Sequence, residues 1–284
     1  MRKITFTNTR GESVVLGNAA PLMITKLEGS GSPDSDVQMQ KAPYQDGSSY
    51  TDTLLDTRSI SIEGAIVTQN KADILNRRRE LARVFNPKLG KGKLVYEKDG
   101  AIHEIYAVVD SAPTFPDKQQ EPIQRFLISL ICPTPFWLDN YQTIEEMSYL
   151  LGGLKFPLSL GTMFSLRGFQ KTLVNDGDVS TPVQITFYGP ANIPVVHNRT
   201  TEEFRRVNQN LAEGEKLIIS TEFGDKYVRI VDIDGVETNA FNWIDLESTF
   251  WQLQQGDNLI EYGSNDDNSK AKVEIAYQNR YVAV

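Results

Sequence analysis

The sequence of 284 residues contains a single cysteine and only two histidines, which limits the chemistry that it can support. Cys132 has no second cysteine with which to form an internal disulfide, and its apolar surroundings are typical of a small buried side chain. His103 and His197 have no suitably spaced partners, so we expect no metal site. No apolar run approaches the length of a membrane-spanning helix, and the first residues do not resemble a signal peptide. Assembly in a reducing cytoplasm fits this cysteine usage.

The net charge of -8 is confined to the second half of the chain. Met1 to Asp139 holds 17 basic and 17 acidic side chains, whereas Asn140 to Val284 holds 12 basic and 20 acidic ones. A neutral surface associates more readily than a charged one, and an acidic surface repels nucleic acid. We therefore expect no specific nucleic-acid binding, which needs clustered basic residues. The length predicts two domains, which we place at 1–139 and 140–284.

Short segments of alternating polar and apolar residues predict that the first domain is mainly β. Asp99-Gly100 separates two such segments and predicts a hairpin, because these residues accept the positive φ of a tight turn. One helix is predicted from Asn70 to Phe85, since Asn70 can cap its start and the following Asn86-Pro87 ends it. The first domain is therefore expected to consist of strands with one helix and a hairpin.

Arg78 falls on the apolar face of this helix, together with Ile74, Leu75, Leu81, Ala82 and Phe85. Two interpretations are open. The aliphatic stem can run over the core while the charge reaches water. Alternatively, Arg78 lies at a subunit boundary and meets a carboxylate of the next protomer.

The stretch from Glu28 to Thr53 shows no clear periodicity and is too long for an ordinary connection within a compact domain. It is either an extended arm that reaches a neighbouring subunit or a mobile surface loop. If it is an arm, Tyr44, Gln45 and Asp46 are candidate contacts with a subunit or partner.

The second half consists of short alternating segments separated by glycine-containing turns, which predicts an antiparallel β-sandwich of the jelly-roll kind. Trp243, Phe250 and Trp251 are candidates for a saccharide-binding surface, but their apolar neighbours favour core packing. Acidic pairs such as Glu145-Glu146 are adjacent in sequence and so do not suggest two carboxylates facing across a cleft. No catalytic, cofactor-binding or metal-binding residues are predicted, and we expect the protein not to be an enzyme.

Three ordered sets of motifs resemble the distal tail proteins of siphophages that infect Gram-positive bacteria. The first set is Tyr44-Gln45-Asp46-Gly47 followed by Leu54 to Gly64, and the second is Asn86-Pro87-Lys88-Leu89-Gly90 followed by Cys132-Pro133-Thr134-Pro135-Phe136-Trp137. The third set is Asn175-Asp176-Gly177-Asp178 with the later segments Gly214-Glu215 and Asn258-Leu259-Ile260. Together these motifs extend over nearly the whole chain.

The resemblance implies a structural virion protein of the phage tail tip that is assembled in the bacterial host. Its first domain, a β-sandwich or split barrel with one helix and a hairpin, would form a hexameric ring that joins the tail tube to the tail-associated hub or lysin protein of the baseplate. DNA would pass through this ring without being bound specifically. A galectin-like second domain would project outward, and in some relatives that domain carries receptor-binding proteins or binds saccharide. Host adhesion through a saccharide or receptor is therefore the alternative function.

Overall fold

The computed structural model describes residues 2–116, 123–148, 169–264 and 272–284, which form a mainly β protein. The chain divides into two units, one of Met1–Asn140 with Tyr281–Val284 and one of Tyr141–Arg280. The last four residues therefore lie in the first unit, although the sequence suggested that they belong to the second domain. Among the described residues, no helix is long and apolar enough to cross a membrane.

The first unit is built on an antiparallel sheet with the strand order β2-β1-β7-β8-β9-β6-β3. The strands at its two ends approach each other, because Gly17 donates a hydrogen bond to the Leu22 carbonyl at 3.0 Å and accepts one from Ile24 at 2.7 Å. The sheet thus rolls toward a barrel. The strands are β1 (Arg2–Thr7), β2 (Ser13–Leu16), β3 (Leu22–Glu28), β4 (Ser35–Gln40), β5 (Ser49–Leu55), β6 (Arg58–Val67), β7 (Lys91–Lys98), β8 (Ala101–Thr114), β9 (Ile123–Cys132) and β10 (Trp137–Asp139).

Helix α1 spans Lys71–Val84 and begins at the predicted cap, because the Asn70 side chain accepts a hydrogen bond from the Asp73 amide at 2.9 Å. After the helix, the ring of Phe85 stacks on Phe6 with 4.6 Å between the ring centroids. The buried helical side chains are Ile74, Leu81 and Val84. Leu75 and Ala82 are exposed, contrary to expectation, because the buried stripe is narrower than the apolar pattern.

The predicted hairpin is confirmed as β7 and β8, with φ of 52° at Asp99 and 92° at Gly100 in the turn. A short 3-10 helix, Pro87–Leu89, connects α1 to this hairpin. The hairpin carries buried Leu94, Tyr96 and Ile105 into the core of the first unit.

The second unit consists of two antiparallel sheets with the orders β11-β20-β13-β16-β17-β18 and β12-β19-β14-β15. Buried side chains of both sheets form one core, in which the rings of Phe187 and Tyr262 lie 6.0 Å apart. This is the sandwich that the sequence predicts. Its strands are β11 (Thr143–Ser148), β12 (Phe169–Asn175), β13 (Val183–Tyr188), β14 (Val195–Asn198), β15 (Glu203–Arg206), β16 (Lys216–Ser220), β17 (Tyr227–Val231), β18 (Glu237–Asn239), β19 (Gly256–Gly263) and β20 (Lys272–Tyr277). The last strand of the chain is the short β21 (Arg280–Tyr281), which belongs to neither of these two sheets.

Arg58 is a buried cation at the start of β6 whose guanidinium joins distant parts of the first unit. Its Nε donates to the Pro135 carbonyl at 2.7 Å, and its Nη2 donates to the Val282 carbonyl at 2.6 Å. Its Nη1 donates to the carbonyls of Gly29, at 2.7 Å, and Gly31. Burial lowers the pKa of Arg58 from its ordinary value, so these carbonyls replace the water that the charge loses.

Replacing Arg58 by methionine keeps an apolar stem but leaves four carbonyls without their donor. We expect Arg58→Met to lower the free energy of unfolding by about 3 kcal/mol, because buried groups lose charge-assisted hydrogen bonds. Urea denaturation measures this loss. Arg79→Met, at an exposed position of α1, is the matched control. Equal losses for the two variants would contradict the role assigned to Arg58.

Candidate assembly surface

The segment between β3 and β6 is a two-stranded antiparallel ribbon, which we call the arm (residues 35–55). Its strands β4 and β5 hydrogen-bond to each other and to no other strand of the described chain. All side chains of β4 and nearly all of β5 are exposed. The structure therefore shows regular strands where the sequence had no clear periodicity.

The two faces of the arm differ in polarity. Residues that lie opposite each other in an antiparallel pair point to the same face. Val37 pairs with Thr53 and Met39 with Tyr50, so these residues share one face with Leu55. Val37 is 45% exposed, Met39 64% and Tyr50 63%. We call this side the apolar face of the arm.

The opposite face of the arm is mostly polar. Gln38 pairs with Asp52 and Gln40 with Ser49, while Asp36 pairs with Leu54. In an isolated ribbon both faces contact solvent, so nothing would favour apolar side chains on one face and polar side chains on the other. Only a partner that covers one face makes the two faces different. The arm thus has the side-chain pattern of a strand pair that is covered on one side.

The root of the arm is fixed by backbone contacts. Asp56 donates its amide to the Asp34 carbonyl at 2.9 Å, which closes the base of the ribbon. Gly29 has a φ of 88°, and a Cβ at this position would collide with the Ser59 carbonyl oxygen. The Arg58 guanidinium holds the carbonyls on the incoming side of the root. The arm therefore leaves the first unit in a defined direction.

The tip of the arm contains the three residues that the sequence suggested as contacts. Tyr44 is fully exposed and has a φ of 63°, which is uncommon for an aromatic residue. Gln45 has an internal role, because its side chain accepts from the Ala42 amide at 3.0 Å and donates to Ser49 Oγ at 3.2 Å. Asp46 is exposed. The tip thus presents Tyr44 and Asp46 to solvent, while Gln45 organises the turn.

Arg78, the fourth suggested contact, is half-buried on α1, where its guanidinium lies 4.7 Å from the ring centroid of Phe115. This stacking leaves the edge of the guanidinium, which carries the N–H groups, available to an acceptor. No carboxylate of the described residues forms an ion pair with Arg78. The structure does not bring Arg78 together with the arm tip in one chain.

A second apolar surface lies on the outward side of β9. Ile123, Leu127 and Ile131 are exposed on this face, where Arg125 and Ser129 lie between them, and every second side chain of the strand points into the core. Next to Ile131, the partner residue on β8 is the half-buried Val108. We call these four residues the sheet patch. Because solvent-facing strand positions normally carry polar residues, the sheet patch is a second candidate for a covered surface.

The aromatic residues that we considered for saccharide binding are mostly packed inward in the second unit. Trp251 is buried in the core, and Trp243 and Phe250 pack against it. These three rings therefore do not form an exposed binding surface, in agreement with the core-packing interpretation.

The two histidines lie in different units and are both half-buried. His103 makes an edge contact with the Tyr281 ring, and burial lowers its pKa. Burial also lowers the pKa of His197, with a smaller contribution from the charge of Arg199. Within the described ranges, no group of three or more His, Cys, Asp or Glu side chains is arranged to hold a metal ion.

Sequence-family models match both units. The model of the phage tail protein RIFT-related domain matches residues 9–132, and the model of the C-terminal domain of the siphovirus-type tail component matches residues 176–281. The protein is therefore a structural tail protein of a long-tailed phage. More specifically, the chain belongs to the family of siphophage distal tail proteins. No curated protein sequence matches it.

Solved structures show the same fold at low sequence identity. The chain is similar to the crystal structure of the Dit protein of phage SPP1, described as a paradigm of the hub adsorption apparatus in phages that infect Gram-positive bacteria. The TM-score is 0.69 at 11% identity, with 98% of each chain covered. A chain of the phage p2 baseplate in its activated conformation with Ca matches with a TM-score of 0.58 at 11% identity over all of both chains. Both comparisons confirm the predicted mainly β fold.

The defined direction of the arm depends on Gly29, and a pair of alanine substitutions tests this. Gly47 has a similar φ of 78° but open space around its Cα, so Gly47→Ala carries only the backbone penalty of about 1 kcal/mol. Gly29→Ala adds a collision with the Ser59 carbonyl, and we expect it to cost about 2 kcal/mol more. Thermal unfolding of the two variants measures the difference, and equal stabilities would show that the root tolerates a side chain.

Proposed function

We propose that this protein forms a hexameric ring at the phage tail tip through its first unit, and that the ring links the tail tube to the tail-associated hub protein. The observation that carries this proposal is the uncovered apolar face of the arm. Membership of the distal tail protein family supports the location and the structural role. The second unit is proposed to project from the ring, and a receptor-binding protein is a further proposed partner.

The apolar face of the arm requires a cover in the assembled state. A two-stranded hairpin alone is marginally stable in water, and exposed apolar side chains lose favourable burial. Within the chain, none of the described residues buries Val37, Met39 or Tyr50. We propose a second copy of the protein as this cover, because other copies are always available to each chain.

The sheet patch of the next copy is the proposed acceptor for the arm. Both surfaces are apolar, and both lie in the first unit, whose sequence carries almost no net charge. A contact between two different surfaces of the same protein repeats from copy to copy and closes into a ring when the rotation per copy allows it. Six copies per ring is the number that the family resemblance implies.

The arm tip and Arg78 are proposed as further contacts in this ring. Tyr44 supplies a large exposed ring, and Asp46 supplies a carboxylate that can pair with a cation of the neighbour. The outward edge of the Arg78 guanidinium is such a cation. These polar contacts would fix the register of the arm more than they would add affinity, because partly exposed ion pairs are weak.

Removing the apolar face tests the proposed ring directly. We expect the full-length protein to form a hexamer by native mass spectrometry and six-fold rings in negative-stain images. The triple variant Val37→Ser, Met39→Ser, Tyr50→Ser should remain monomeric, because the contact loses its apolar area. Its unfolding free energy should change by less than about 1 kcal/mol, since these side chains are exposed in the single chain.

The matched control is the triple variant Gln38→Ser, Gln40→Ser, Asp52→Ser on the opposite face of the same arm. This variant should keep the hexamer. The proposal is wrong if the serine variant of the apolar face assembles as well as the control. It is equally wrong if the unmodified protein is monomeric at every concentration and binds neither tail tube nor hub protein.

A further inference from the structure

A pocket of about 400 Å³ lies at the edge of the six-stranded sheet of the second unit. We call it the edge pocket. Its residues come from the outward side of β17 and β18 and from the turns beside these strands. Arg229 lies opposite Asn239 in this strand pair, so both side chains point outward to the same face. The residues that matter here are Lys226, Tyr227, Arg229, Glu237, Asn239 and Phe241.

Phe241 provides an exposed aromatic surface in the edge pocket and is 48% exposed. Its backbone is fixed, because its amide donates a hydrogen bond to Asn239 Oδ1 at 2.9 Å. Its ring stacks on Phe250 with 5.8 Å between centroids and 24° between the ring planes. Phe241 is thus held by contacts on its buried side while the rest of the ring faces solvent.

Arg205 stabilises the position of the Phe250 ring, on which Phe241 stacks. The side chain is fully buried, and its three nitrogens have no hydrogen-bond partner among the described residues. A buried guanidinium without an acceptor is unfavourable unless another group compensates its charge. The Phe250 ring does so, because the guanidinium carbon lies 3.8 Å from its centroid. The pKa of Arg205 is lowered by burial to about 10, so the group remains charged at neutral pH.

Lys226 supplies the positive charge of the edge pocket. Its Nζ lies 5.1 Å from the ring centroid of Phe223 and 5.2 Å from that of Phe250. Lys226 forms no ion pair with the described carboxylates, whereas Arg229 is paired with Glu237 at 3.2 Å. The paired charges of Arg229 and Glu237 cancel, which leaves Lys226 as an unneutralised cation in the acidic half of the protein.

We propose that the edge pocket binds an acidic saccharide. The apolar C–H face of a sugar ring fits against Phe241, and hydroxyl groups suit the paired Arg229 and Glu237, which offer both donors and acceptors. A carboxylate or phosphate on the sugar fits Lys226. A nucleic acid fits less well, because the surrounding acidic half would repel a polyanionic backbone. This proposal goes beyond the ring function, which depends on the first unit alone.

Calorimetric titration of the full-length protein tests the proposal with defined probes. Galacturonate represents a carboxylate sugar with a single charge, glucose 6-phosphate represents a phosphate sugar, and maltotriose is the neutral comparison. At least one acidic probe should bind saturably with a Kd of about 1 mM, and about 10-fold more tightly than maltotriose. Which acidic probe binds identifies the anionic group that the edge pocket prefers.

Two substitutions separate the parts of the edge pocket. Lys226→Gln should abolish the preference for the acidic probe, and Phe241→Ala should weaken binding of every probe by about 10-fold. Lys216→Gln is the matched control for charge, because Lys216 also lies over an aromatic ring, that of Tyr188, on the same sheet. Tyr141→Ala, at another exposed aromatic residue, is the control for the ring.

The proposal is overturned if neither acidic probe binds at concentrations up to about 10 mM. It is also overturned if the edge-pocket variants bind as the controls do, or if a single-stranded oligonucleotide of the same charge binds more tightly than both sugars. Oligomer mass measured on the same samples keeps this test separate from the ring. Failure of the edge pocket with intact rings, or the reverse, distinguishes the two proposals.

Discussion

The Arg58 guanidinium is the interaction on which the first unit depends. It collects four carbonyls from three segments of the chain, between 27 and 224 residues away in sequence. Two of these carbonyls, of Gly29 and Gly31, belong to the chain entering the arm, and Arg58 itself belongs to the chain leaving it. A single buried charge therefore fixes the root of the arm and ties the end of the polypeptide to the same unit.

A fixed root would favour the assembly role that we propose for the arm. If a flexible loop had to become ordered on contact, part of the binding energy would be lost to conformational entropy. A ribbon that already has its strands paired and its direction set loses less. The distribution of charge fits the proposed division, because the first unit is nearly neutral, whereas the second half is acidic and its like charges would keep copies of it apart.

Local features were predictable from the sequence, and long-range ones were not. The α1 boundaries followed from Asn70 and Pro87, and the β7–β8 turn followed from Asp99-Gly100, because each signal acts within a few residues. The strands of the arm escaped prediction, because β4 is short and the register of its pairing with β5 shifts between Gln38 and Met39, which interrupts the alternation along β5. The roles of Arg58 and Arg205 depend on carbonyls or rings far away in sequence. The family followed from the order of several weak motifs rather than from any one site.

The central claim is that the arm of one copy contacts the sheet patch of another, and chemical cross-linking tests it most directly. The chain's only cysteine, Cys132, is buried with its thiol pKa raised to about 12, so it does not compete with introduced cysteines. Met39→Cys protein and Leu127→Cys protein are mixed, allowed to exchange subunits and treated with a short bis-maleimide. The account predicts a covalent dimer that contains one copy of each variant and is absent when either variant is treated alone. Cross-linked dimers of a single variant, or no dimer in a sample that contains intact rings, would contradict it.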